Sequence, residues 1–152
     1  MDNRQQLTEI SVRVNDLLSQ YVAIHNDVFK TSIRRIIPLP FLFKAIDFQT
    51  HYRETEGILS QLQESKESIS KILSQYGPAQ KDYLELLSRY VDALSETVSR
   101  FRIVLGSLYA KSERLASYNW KQYKEELAQY ESASQGYLSL GKKLNELYKT
   151  LK

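Results

Sequence analysis

Apolar residues recur along this chain in alternating steps of three and four, the spacing that keeps them on one face of an α-helix. The first stripe is Leu7, Ile10, Val14, Leu17, Tyr21, Ile24 and Val28. Asn3, with Gln6 three residues on, fits a capping box at its start. Pro38 and Pro40 then break the pattern, because proline lacks a backbone N–H and disfavours helix in the residue before it. A second stripe runs through His51 or Tyr52, Thr55, Ile58, Leu62, Ser65, Ile69, Ile72 and Tyr76. Gly77-Pro78 closes it: glycine suits a left-handed helix end, and proline suits the first turn of the next helix.

The third stripe carries Tyr83, Leu87, Tyr90, Leu94, Val98, Phe101, Leu105, Leu108, Ser112 and Leu115. The fourth carries Trp120, Tyr123, Leu127, Tyr130, Ser134, Tyr137, Gly141, Leu144, Tyr148 and Leu151. Asn119, followed by Gln122, fits a cap between them, although no glycine or proline marks the join. The spacing predicts helices over about 4–33, 41–76, 78–117 and 119–151, boundaries good to about two to four residues. At 1.5 Å per residue these are rods of about 42–58 Å. Matched lengths and short connections predict an all-α fold, an elongated up-down-up-down four-helix bundle in one domain over 1–152. The alternative fuses the last two helices into a single long helix that oligomerises as a coiled coil.

Tyrosine is the unusual residue. Eleven are present, against five Phe and one Trp, and Tyr123, Tyr130 and Tyr137 repeat every two turns within the fourth helix. The same step relates Tyr76, Tyr83 and Tyr90, but Gly77-Pro78 separates the first from the other two. Small residues share these stripes: Ser65, Ser112, Ser134 and Gly141. Large rings opposite small residues fill a core without overpacking it. Buried hydroxyls must still find partners, and a tyrosine-lined pocket between helices is the second use of such rings.

Composition narrows the function. The chain is 42% hydrophobic and 26% charged, which suits a folded domain and not a disordered one. It has no cysteine, so disulfides and thiolate metal sites are excluded. The start carries no apolar signal segment. The longest apolar run, Ile36 to Phe43, is far short of the roughly 20 residues a membrane span needs. A soluble, cytoplasmic protein is the expectation.

No stripe position is Asp or Glu, and Glu-x-x-His never occurs, which excludes carboxylate di-metal chemistry of the ferritin type. His25 and His51 flank Pro38 symmetrically, with Asp27, Asp47 and Glu54 nearby. Two neutral ligands without a fixed carboxylate do not close a metal site, so no metal and no cofactor is expected. Glycine-rich phosphate loops, serine elbows and zinc motifs are absent from the sequence. Glu125 and Glu126, beside Lys121 and Lys124, read as an outward ion-pair face. The chain reads as a non-enzyme.

Charge placement supplies the positive hint. Net charge is only +3, and nucleic acid is not an expected partner even though Arg4, Lys142, Lys143, Lys149 and Lys152 gather at one end. Lys30, Arg34, Arg35 and Lys44 surround the apolar run that contains Phe41 and Phe43, with no acid between them. Lys121 and Lys124 follow Trp120 at the third connection, which an up-down bundle places at the same end. That run either plugs the bundle or, ringed by cations, docks a protein partner or an anionic membrane surface. The expected function is therefore an interaction or scaffolding protein that uses residues 30–44 and 111–124, with a second copy of the chain among its candidate partners; the alternative is a small-molecule-sensing bundle.

Overall fold

Each of the four stripes forms a helix. The computed structural model describes residues 2–29 and 46–151. Helix α1 spans Asn3–Phe29. Asp2, not Asn3, heads it: the Asp2 carbonyl accepts from the Gln5 and Gln6 amides, and its carboxylate accepts from the Arg4 amide at 3.3 Å. The expected continuation of α1 to residue 33 lies outside the described residues.

Helix α2 spans Phe48–Ile72, a later start than the expected Phe41. Asp47 sets that start. Its carboxylate takes the Thr50 amide at 3.0 Å and the Thr50 hydroxyl at 2.7 Å, which satisfies a helix-end N–H that has no carbonyl partner within the helix. A 3-10 turn, Leu73–Gln75, tightens the C-terminal end, and Tyr76 is extended. Gly77 is also extended, with φ −72° and ψ 172°, so the expected left-handed glycine stop is not what ends this helix. Pro78 occupies the first turn of α3, as its fixed φ favours.

Helix α3 spans Pro78–Ser112 and ends short of the expected residue 117. Its stop is a Schellman turn without glycine. Arg114 sits at φ 54°, the Leu115 amide donates to the Ala110 carbonyl at 2.9 Å, and the Arg114 amide donates to Lys111 at 3.1 Å. This turn rules out the fused helix for the chain, and it exposes Ser112 and Leu115, both expected to face inward. Helix α4, Trp120–Thr150, starts from Asn119, whose side chain accepts from the Gln122 amide at 3.1 Å as the sequence predicted.

The helices alternate in direction and form a four-helix bundle. Arg100 on α3 donates to Gln129 on α4, and Lys66 on α2 pairs with Asp92 on α3. Helix α3 is the central element, packed along both α2 and α4 and also touching α1. It buries a double-width face that includes Leu84, Leu87, Val91, Leu94, Val98, Phe101, Val104 and Leu105. Thr55, Ser65 and Thr97 are buried too, and each returns its hydroxyl to a carbonyl in its own preceding turn. Helix α4 is the opposite case: only Tyr130 and Tyr137 are fully buried on it.

This asymmetry predicts where stability resides. Phe101, with no exposed surface, touches the rings of Tyr21, Phe29 and Tyr130. Phe101→Ala should lower the unfolding free energy by about 3–5 kcal/mol. Ile103→Ala, on the same helix but 48% exposed, should change it by less than about 0.5 kcal/mol. Urea denaturation of both variants measures the difference.

Candidate functional site

Two regions stand apart from the packed core: the end carrying the third connection, and the seam between α1 and α4. Of the residues expected to form a docking end, Lys30, Arg34, Arg35, Phe41, Phe43 and Lys44 lie outside the described residues. Trp120, Lys121 and Lys124 are all exposed in the first turns of α4, with Trp120 at 56%. The Lys124 ammonium lies 5.8 Å from the centre of the Trp120 ring, and Trp120 leans on Tyr123 at 5.9 Å. Lys111 sits at 6.0 Å over Tyr118. Trp120 is thus not the core residue its stripe position implied. Nor do Glu125 and Glu126 share an outward face: Glu126 turns toward α3, accepting from Ser107 at 2.5 Å as well as from Gln122.

The α1–α4 seam differs from the other lateral seams. These two helices lack the extended close backbone approach that links α1 to α2, α2 to α3 and α3 to α4. Aromatic rings span the distance instead. Tyr21 on α1 and Tyr130 on α4 join hydroxyl to hydroxyl, and His25 Nδ1 lies 2.6 Å from the Tyr130 oxygen. Phe29, Phe101 and Tyr137 pack around this trio with ring centres between 4.8 and 6.1 Å. Burial lowers the His25 pKa. Burial raises Tyr130, and the neighbouring Tyr21 phenol raises it further; burial likewise pushes Tyr21 up to about 12. All three groups therefore remain uncharged at neutral pH. With the proton on Nε2, His25 accepts from Tyr130, whose oxygen in turn accepts from Tyr21.

Tyr137 closes this aromatic half of the seam, and beyond it the seam opens. A groove of about 520 Å³ runs between α1 and α4 over a floor of Tyr83, Leu87 and Tyr90 from α3. Val12 and Leu138, two of the most exposed large apolar side chains at 53% and 48%, stand on its opposite rims, and Tyr148 stands at its end. Gly141 forms part of the α4 wall. A Cβ there would lie 3.3 Å from the Tyr90 ring, so the missing side chain lets that ring pass beneath α4. The Tyr83 hydroxyl is engaged by Ser11 at 2.9 Å. Tyr90 is only 5% exposed as a residue, and its hydroxyl, without a hydrogen-bond partner among the described residues, opens into the groove. A larger hollow of about 640 Å³ at the chain-end side is bordered by polar groups such as Asp2, Arg4 and Gln80 and lacks the apolar floor of the groove.

The sequence anticipated the floor, since Tyr83, Leu87, Tyr90, Tyr137, Gly141, Leu144 and Tyr148 are all stripe residues. It missed the rim residues Val12, Leu138, Lys142 and Asn145. The one available signal was the poverty of the fourth stripe, where Ser134 and Gly141 interrupt the large residues.

The two histidines have separate environments. His51 is the inward member of the pair His51 and Tyr52, and it bridges Asp27 on α1 at 2.6 Å and Glu54 at 3.0 Å. His25 faces the other way, into the aromatic seam. Among the described residues no cluster of three His, Asp or Glu is placed to hold a metal, and no helix is long and apolar enough to cross a membrane. Searches against protein-family profiles, curated proteins and solved structures find no match to this chain. Function must therefore be argued from geometry.

The histidines make a prediction of opposite sign. For His51, burial opposes the imidazolium most strongly of any single influence, but the hydrogen bonds and charges of Glu54 and Asp27 together outweigh it and raise the pKa. Its contribution is complete below the unfolded value of about 6.5 and is lost as pH rises through the folded value. His25 is lowered by burial, so it costs stability as pH falls below about 6.5 toward its folded pKa. In denaturant titrations across pH, His51→Gln should flatten the loss on the alkaline side, and His25→Gln should flatten the loss these histidines cause on the acid side.

Proposed function

We propose that this protein is a non-enzymatic, ligand-binding helical bundle that holds a small molecule in the groove between α1 and α4. The observation that carries this reading is Tyr90: its ring is packed into the floor of a largely apolar groove, while its hydroxyl, with no hydrogen-bond partner among the described residues, opens into the groove. A hydroxyl that faces a ligand-sized space and is not engaged by the protein is free to bond a ligand's polar atom. The groove volume falls within the range of about 300–1,000 Å³ typical of small-molecule sites, and the pairing of apolar walls with a few polar groups is what such sites share. A ligand that bridges α1 and α4 would tie together the two neighbouring helices with the weakest backbone contact, which gives the bundle a means of reporting occupancy.

Thermal unfolding with a panel of aromatic and aliphatic small molecules tests this. A true ligand should stabilise the protein by about 2.7 kcal/mol at one hundred times its Kd. Gly141→Leu, which fills the groove from the α4 side, should keep the helical circular-dichroism spectrum and lose that stabilisation. Equal stabilisation of both proteins would refute the site.

A second reading has its own support. Exposed Trp120 and Leu115, with Lys111, Lys121 and Lys124 around them, suit docking to an acidic protein partner or an anionic membrane surface. Under this reading the protein co-sediments with phosphatidylserine vesicles. Replacing Lys121 and Lys124 by Glu should abolish that binding, and unchanged sedimentation of the double variant would sink the idea.

A further inference from the structure

The groove has a charge pattern that narrows its ligand. Its wall on α1 runs from Thr8 to Leu18, ten residues apart and so about 15 Å of helix. Apolar side chains and aromatic rings make up most of the lining over that length, with Thr8, Ser11 and Asn15 between them on α1, which suits an extended hydrocarbon or aryl-alkyl body better than a compact polar metabolite. Lys142 is the one Lys, Arg, Asp or Glu in its lining. It projects from the α4 rim one turn beyond Leu138 and next to Gly141. The nearest acidic residues of α1, Glu9 and Asp16, border a separate hollow. Burial, reinforced by the neighbouring Tyr137, raises the Tyr90 pKa, so its hydroxyl stays protonated and able to donate. The lining thus offers one cation and the Tyr90 hydroxyl along a largely apolar trough, with no carboxylate in it to repel an anion.

Building on the groove as the binding site, we infer that its ligand is an elongated amphipathic anion, an apolar chain or aryl-alkyl body ending in a single carboxylate that pairs with Lys142. A fatty acid and an arylalkanoic acid share this chemistry.

Calorimetric titration of the full chain with decanoate, decanol and decylammonium, each below its self-association threshold, tests the class. Phenylhexanoate run in parallel distinguishes the aryl from the aliphatic source. Decanoate should bind at least tenfold tighter than decanol, and decylammonium weakest. Lys142→Met should bring decanoate down to the affinity of decanol without changing decanol itself, while Lys142→Arg should keep the preference. Equal binding of decanoate and decanol to the unaltered protein, or a preference that survives Lys142→Met, overturns the anionic class and leaves the groove as the site. Binding of none of the probes, or binding that persists unchanged in Gly141→Leu, overturns the groove and this inference with it.

Discussion

A tyrosine can bury its ring only if something inside the protein receives its hydroxyl, and that requirement governs the α1–α4 seam. Tyr21 and Tyr130 satisfy each other, and His25 completes the chain. The three groups must stand across the seam, tip to tip, so the two helices are separated by the length of their side chains. Leucines in the same positions would let the backbones close. Burial raises both phenols and lowers the imidazole, which keeps the trio neutral and avoids the far larger cost of an enclosed charge. The spacing set in this aromatic half extends along the helices, and where the rings stop meeting, past Tyr137, it becomes the groove.

Helix α3 makes that arrangement affordable in packing terms. Its double-width apolar face serves α2 and α4 at once and reaches α1, so the bundle has a continuous core without a tight fourth seam. Helix α4 then needs only two fully buried residues to stay in place. The remainder of its inner stripe is half-buried or exposed, and Gly141 leaves room for Tyr90 beneath it. A core concentrated on one helix and a loosely covered seam on the opposite side are two consequences of one distribution of apolar residues.

The same side-chain type meets different fates according to what the neighbouring helix presents. His25 faces phenols and phenyl rings and is held neutral, whereas His51 faces two carboxylates and favours its proton. Tyr83 finds Ser11, Tyr76 reaches the backbone carbonyl of Asn3, and Tyr90 finds no partner among the described residues. None of these outcomes belongs to the residue alone. Trp120 makes the same point at the other end, since it holds a stripe position by spacing and is exposed because nothing among the described residues covers the first turn of α4 on that side.

The chain's own sequence determined the four described helices, their order, most of the residues on their inner faces and two of their boundaries, Pro78 and Asn119. These depend on helical periodicity and on capping chemistry within a few residues, and both are properties of local backbone geometry. Asp47 and the Arg114 turn were harder to read, because an Asx cap needs its hydrogen bonds to be seen and a left-handed arginine breaks the glycine rule. The floor of the groove was legible as a stripe, but its existence as a groove was not. Whether four amphipathic helices close all their seams depends on the distance between side chains that lie about a hundred residues apart, such as Tyr21 and Tyr130. That distance is fixed by packing and hydrogen bonding across the assembled bundle, so only the tertiary structure decided it.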